Sequence, residues 1–252
     1  MIIDGMGYKA QIIWKAIGIT ITACVLIGAV VSGVRMTPTD TPCAALRYDI
    51  RDRAERMYLT EAELSRLLQS EELYPVGRHL DRGMLHRIER TIEAHPMVRT
   101  AECYLTPRNE MRVRITQRVP LLRVLMPGDT YIIDRDRRVM PVRAAVKDSV
   151  LIARGAVGVQ IASRQLADFA EWLEDEPYWK GRVAYVHVQS PQMVYLYLRG
   201  TIVPRALIGP MRGYESKLKK LRTFLENGAE AIQDKHYREV DLRYKGQVVG
   251  RI

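Results

Sequence analysis

The hydrophobic pattern of the chain breaks into one long uniform run followed by short alternating and helical segments. Ala16 to Val34, AIGITITACVLIGAVVSGV, is 19 residues without a charge, bounded by Lys15 and Arg35. At ~1.5 Å per residue a helix of that length spans about 28 Å, close to the hydrocarbon thickness of a bilayer. The run is apolar or small on every side, whereas a buried core helix keeps a polar stripe. It therefore predicts a transmembrane helix over 16–34 behind a short tail at 1–15. The run outlasts a signal-peptide core, and no A-x-A cleavage site follows it. Ile21-Thr22-Ala23-Cys24 matches a lipoprotein box, but ten more apolar or small residues follow Cys24 where a lipoprotein turns polar. Lys9 and Lys15 before the span balance Arg35 and Arg47 after it, so the charge rule leaves the orientation open.

Met36 to Pro42, MTPTDTP, has the composition of an extended linker and places a linker at 35–44. Beyond it, Leu46-Arg47-Tyr48-Asp49-Ile50-Arg51 alternates as a half-buried strand does. Thr60 and Glu63 form a capping box, Leu59 and Leu64 flank it as a staple, and Leu64, Leu67 and Leu68 share a helical face. After a break at Glu71 to Gly77, a second helix begins near Asp81, carries Leu85, Ile88 and Ile92 on one face, and stops before Pro96. Arg99 to Leu105 and Met111 to Ile115 then alternate around the Pro107-Arg108-Asn109-Glu110 turn. The order β-α-α-β-β predicts two helices on one face of a three-stranded sheet, with Arg112 and Arg114 in solvent.

From Leu121 the pattern changes to short strands. Tyr131-Ile132-Ile133 and Val139-Met140 flank a turn at Asp134 to Arg138; Val183 to Val188 and Met193 to Leu198 flank Gln189 to Gln192; and Thr201-Ile202-Val203 follows Arg199-Gly200. Successive hairpins predict an antiparallel sheet. Two helices interrupt it, one capped by Ser163 with Leu166, Phe169, Ala170 and Leu173, the other with Tyr214, Leu218, Leu221 and Leu225. The last element alternates Val240, Leu242 and Tyr244 against Asp241, Arg243 and Lys245, and Gln247 to Ile252 continues it. The reading is an α+β chain with modules at 45–120 and 121–252.

The composition fits folded modules. The 252 residues are 47% hydrophobic and 27% charged, which argues against wholesale disorder and a polytopic membrane protein. Net charge is +10, from 30 Arg and 9 Lys spread along the chain. The longest basic clusters are the pairs Arg137-Arg138 and Lys219-Lys220, with no nucleic-acid motif and no interleaved aromatics, so nucleic acid is not an expected partner. Cys24, Cys43 and Cys103 have neither CxxC nor zinc-ribbon spacing; whether Cys43 and Cys103 pair stays open. GxSxG, HExxH, Walker A and GxGxxG are all absent. No two of the five histidines are spaced i, i+4, and His86 with Glu89 reads as a solvated helix pair. Glu171, Glu174, Asp175 and Glu176 cluster beside Pro177 as a charged helix end. Trp172 and Trp179 read as packing. No catalytic, cofactor or metal residue is assigned, and no small-molecule substrate is expected.

A terminal strand at a sheet margin exposes unpaired N–H and C=O groups that another chain can extend, or it simply closes the sheet. Gln117-Arg118-Val119-Pro120 at the end of the first module and Val240-Asp241-Leu242-Arg243-Tyr244 near the carboxyl end, behind one span, resemble the FtsQ/DivIB cell-division family. The resemblance covers nearly the whole chain and marks Arg118 and Pro120 as the family's motif closing a POTRA module. It implies a non-enzymatic divisome scaffold of the inner membrane, single-pass with a cytoplasmic amino terminus and periplasmic modules, located at the septum. It further implies binding of FtsB/FtsL-like coiled-coil partners through Arg243, Tyr244, Gly246, Gln247, Val248 and Val249. The tail is shorter than in many relatives, and Gly250-Arg251-Ile252 stands where some carry an aromatic after the final glycine. Two other readings stand beside it, an envelope-assembly factor with a POTRA-like module and a membrane-anchored envelope enzyme.

Overall fold

The computed structural model describes residues 41–51, 58–143, 150–227 and 237–252. The tail, the span at 16–34 with Cys24, most of the linker and His236 lie outside the described residues. Within those described, no helix is long and apolar enough to cross a membrane.

The first module follows its sequence pattern closely. Strand β1 (Ala45–Ile50) leads to α1 (Glu61–Ser70), α2 (Arg82–Glu93), β2 (Val98–Leu105) and β3 (Glu110–Gln117). The sheet order is β1-β3-β2, with β1 parallel and β2 antiparallel to β3. Thr60 caps α1 by accepting from the Glu63 N–H, and Asp81 caps α2 by accepting from the Met84 N–H. The capping box is only half formed, because the Glu63 carboxylate turns to His95 and Arg143 instead. Leu64, Leu68, Ile88 and Ile92 from the helices meet Met111, Val113 and Ile115 from β3, all fully buried. Each such side chain contributes roughly 1.5–3 kcal/mol on leaving water. Arg112 faces solvent and Arg114 is half-buried, as alternation requires. The β2 edge is not left bare: Glu93 accepts from the Ala101 N–H and Glu89 from the Cys103 N–H, so α2 carboxylates occupy donors that another strand would need. Cys43 and Cys103 are both free. Cys43 precedes β1 and Cys103 sits on β2, with β3 between them; two strand spacings, about 9.6 Å, exceed the Cα reach of a disulfide.

The second module departs from the antiparallel expectation. Its strands are β4 (Pro120–Met126), β5 (Asp129–Asp134), β6 (Val139–Pro141), β7 (Leu151–Gly155), β8 (Val183–Ser190), β9 (Met193–Leu198), β10 (Arg205–Leu207), β11 (Glu239–Asp241) and β12 (Val249–Arg251). They form a mixed sheet in the order β12-β11-β10-β9-β8-β7-β4-β5-β6. Pairs β4–β7, β7–β8 and β10–β11 are parallel. Helical crossovers account for two of these pairs, β7–β8 and β10–β11. Segment α3 (Val159–Ile161), a π-helical turn (Ala162–Leu166) and α4 (Ala167–Asp175) carry the chain from β7 to β8, and α5 (Tyr214–Asn227) carries it from β10 to β11. A helical crossover returns the chain in the same direction, whereas the sequence reading took these helices as interruptions of a meander. Ser163 is not a cap but lies inside the π-helical turn, and Gly158 occupies the cap position. The strand expected at Thr201 to Val203 falls instead at Arg205–Leu207. Phe169, Leu173, Leu218 and Leu221 pack on Val186, Leu196 and Val240, covering one face of the sheet. Trp172 lies against Phe169 and Tyr214, and Trp179 is buried, both as packing.

Gln117-Arg118-Val119-Pro120 is the joint between modules. The Gln117 carboxamide accepts from the Tyr58 N–H. The Arg118 backbone N–H donates to Met97 O, and its guanidinium donates to Asp134 at 2.8 Å, with both side chains buried. Pro120 opens β4. Ile132 and Met140 of β5 and β6 join the first module's core. The turn after Asp134 then reaches both ways: Asp136 pairs with Arg99 of β2, Arg135 with Glu174, and Arg137 with Asp168 and Glu171 of α4. The acidic end of α4 is thus engaged by arginines. Removing the guanidinium strands a buried carboxylate, so Arg118→Ala should cost about 3–5 kcal/mol in denaturant unfolding, and Arg118→Met with Asp134→Leu much less.

Candidate functional site

The terminal strand predicted by alternation is a hairpin. Strand β11 stops at Asp241, the chain turns over residues 244–246, and β12 returns antiparallel with Glu239 opposite Arg251 and Asp241 opposite Val249. The reason lies in Asp241. Simple alternation places it in solvent beside Arg243, yet it is 0% exposed. Its carboxylate accepts from the Arg243 backbone N–H at 3.1 Å, from Nε at 3.0 Å and from Nη2 at 2.7 Å. Satisfying a buried carboxylate with a residue only two positions on bends the backbone out of the ladder. Burial pushes the Asp241 carboxyl up, but the Arg243 guanidinium and backbone bonds, with Arg251 beyond, hold it below the usual carboxylate range.

Three further groups shape the turn. Gly209 has φ +73°, and a Cβ there would meet Arg243 Cγ at 2.8 Å, so the glycine leaves the space over which the arginine stem lies. Gly250 lies beneath the Tyr237 ring, which a Cβ would overlap. Lys220 of α5 extends its ammonium to the carbonyls of Leu242 (3.2 Å), Tyr244 (2.6 Å) and Gln247 (3.2 Å), pinning both ends of the turn to the helix. Sequence reasoning missed Lys220. Its acceptors are backbone carbonyls 22 to 27 positions away, which no side-chain pattern marks.

The six residues singled out in sequence therefore come together on one hairpin but not on one strand. Arg243, Tyr244, Gly246 and Gln247 are exposed on the turn, Gly246 with φ +71°. Tyr244 leaves 51% of its surface in water and Val249 38%, while Val248 packs against the core. Only Val249 lies within β12. Strand β12 ends the sheet, so its outer backbone edge faces no other described strand. At the opposite margin β6 carries Pro141, which lacks a donor. The arrangement offers backbone pairing beside an exposed aromatic and an immobilised guanidinium, with no nucleophile, general base or ligand cluster among these residues. Arg118 and Pro120 lie at the joint between modules, apart from this edge.

Two expectations follow from the hairpin. Lys220→Met should loosen the turn by about 1 kcal/mol and raise the rate at which trypsin cuts after Lys245 about fivefold, while cutting at the other sites, apart from the deleted one at 220, is unchanged. For Asp241, the folded-state carboxyl is depressed, so the unfolded state binds more protons as pH falls. Its stabilisation is whole above the ordinary aspartate value of about 4 and is lost as pH falls through the depressed value. Wild type and Asp241→Asn should differ in unfolding midpoint at neutral pH and converge on acidification.

The FtsQ/DivIB, C-terminal related family model matches residues 119–251, and a POTRA-like domain model matches residues 41–116. No curated protein matches the chain. The first match spans the whole mixed sheet with its terminal hairpin, and the second spans the βααββ module. FtsQ/DivIB proteins are septal inner-membrane, non-enzymatic scaffolds of cell division that interact with other division proteins. With more than half its length covered by that model, the chain belongs to the FtsQ/DivIB family.

Proposed function

We propose that this chain is a membrane-anchored, non-enzymatic assembly factor of the division machinery that gathers FtsB/FtsL-like coiled-coil proteins through the β11–β12 hairpin. The observation that carries this reading is the edge of β12, which is presented beside Tyr244 and Arg243 and is held in place from within by Asp241 and Lys220. A partner segment adding a strand to β12 gains backbone hydrogen bonds without strand-ordering cost on this side, because the hairpin is already fixed. Tyr244 supplies apolar area and a polar tip at the end of that strand, and Arg243 supplies register; Gly246, Gln247 and Val249 line the approach. The apolar run at 16–34 is the anchor in this reading, with the amino terminus cytoplasmic and both modules on the periplasmic side at the septum.

The blunted β2 edge supports the assignment of pairing to the second module, since Glu89 and Glu93 already hold its donors. Photocrosslinking in intact cells from positions 244 and 249, with 112 as control, should capture a small coiled-coil membrane protein from the first two only. Tyr244→Ala should reduce that recruitment at least tenfold while the protein stays folded and in the membrane. Capture from 112 with silence at 244 and 249 would move the interface to the first module.

A further inference from the structure

The face of the mixed sheet turned away from α4 and α5 carries a row of side chains that crosses the strands from β7 to β12. The residues that point to the helices are Val186, Val188, Val194, Leu196 and Leu198, all buried in the helix-covered core. Alternation puts Tyr185, His187, Tyr195 and Tyr197 on the other face, and each is half-buried. Tyr185 and Tyr197 are directly opposite in register and stack at 4.3 Å between centroids, 13° from parallel. The exposed Arg154 of β7 lies over the Tyr185 ring at 4.9 Å, and Arg205 of β10 over Tyr195 at 5.2 Å. Arg205 also reaches the buried Glu239 of β11 at 2.6 Å, and Arg251 of β12 reaches the same carboxylate at 3.5 Å. Along the chain these residues are scattered over almost a hundred positions, which is why no aromatic and basic interleaving is visible in the sequence.

We infer that this row is a docking surface for an acidic, helical segment of another protein, lying across the strands. The three guanidiniums of Arg154, Arg205 and Arg251 outnumber the carboxylates they meet, Glu239 for Arg205 and Arg251 and Asp241 for Arg251, so the row is net positive. Arg154, exposed over the Tyr185 ring, and Arg205, fixed between Tyr195 and Glu239, are already positioned and lose little freedom on meeting a further carboxylate. Arg154 and Arg205 stand three strand spacings apart, about 14 Å, which is the length of roughly ten residues of helix. A helix with carboxylates about eleven residues apart, close to three full turns, presents both on one face and reaches both arginines through their long side chains, while the apolar residues between them rest against the ring edges of Tyr185 and Tyr197. The same geometry disfavours nucleic acid. Tyr185 is covered by Tyr197 on one side and Arg154 on the other, so its faces are closed to bases, and Glu239 interrupts any phosphate track. The surface is separate from the β12 backbone edge, and the inference does not depend on strand addition there.

The test uses the full chain in zwitterionic nanodiscs and a fluorescein-labelled leucine-alanine helix carrying two glutamates about eleven residues apart on one face. Controls are the same helix with glutamines and an oligothymidylate. The surface predicts that the glutamate helix binds at least tenfold more tightly than the glutamine helix. Arg154→Ala and Tyr185→Ala should each weaken it about fivefold, Arg112→Ala should leave it unchanged, and Tyr244→Ala should leave it unchanged as well. Arg154 is exposed, so that variant reads the surface even where Tyr185→Ala disturbs the sheet. Equal binding of the two helices, or indifference to Arg154→Ala, overturns the inference; so does tighter binding of the oligothymidylate through the same two residues.

Discussion

A carboxylate removed from water must be met by donors, and the carboxyl-terminal part of this protein is arranged around that requirement at Asp241. Arg243 meets it from two positions away, and to do so the chain leaves its strand. The departure creates the turn that exposes Tyr244 and Gln247, and the return strand β12 becomes the sheet's margin. Lys220 then ties the turn's carbonyls to α5, so the margin is anchored to a helix that packs on the core through Leu218 and Leu221. An edge strand of three residues would be expected to fray; this one is braced at its start by an ammonium and along its face by Arg251 on Glu239.

A second buried pair, Arg118 with Asp134, does for the joint between modules what Asp241 does for the edge. Asp134 begins the turn whose other residues grip β2 on one side and α4 on the other. The first module's orientation is thereby transmitted to the helix layer beneath the large sheet, and Ile132 and Met140 add apolar contact across the same boundary. The two family motifs of the sequence thus share one device, an arginine laid on a buried aspartate where the backbone changes direction.

Local signals in the sequence succeeded where the structure is local. The Thr60 half of the capping box, the start of the second helix near Asp81, the faces of both helices and the alternation of β3 are consequences of short-range stereochemistry, and they appear in the structure as read. The parallel pairings of β7 with β8 and of β10 with β11 were not legible, because they depend on where helical crossovers deliver the chain and not on strand composition. Strand β7, LIARG, is too short for a periodic signature, and it ends at Gly155, φ +95°, where a Cβ would meet Val188 O. At the carboxyl end the six residues that the resemblance singles out share one hairpin, but the shape of that hairpin was not legible. Alternation alone counts Asp241 as a solvent position, and nothing in the pattern shows that it is buried and satisfied by its neighbour's neighbour.

Amide hydrogen exchange of the chain purified with the coiled-coil partners proposed for it, against the chain alone, tests strand addition at β12 most directly. The account predicts new protection confined to residues 247–251, with the β2 edge at 99–105 unchanged. Unchanged exchange at 247–251 in a complex that is nonetheless formed would contradict it.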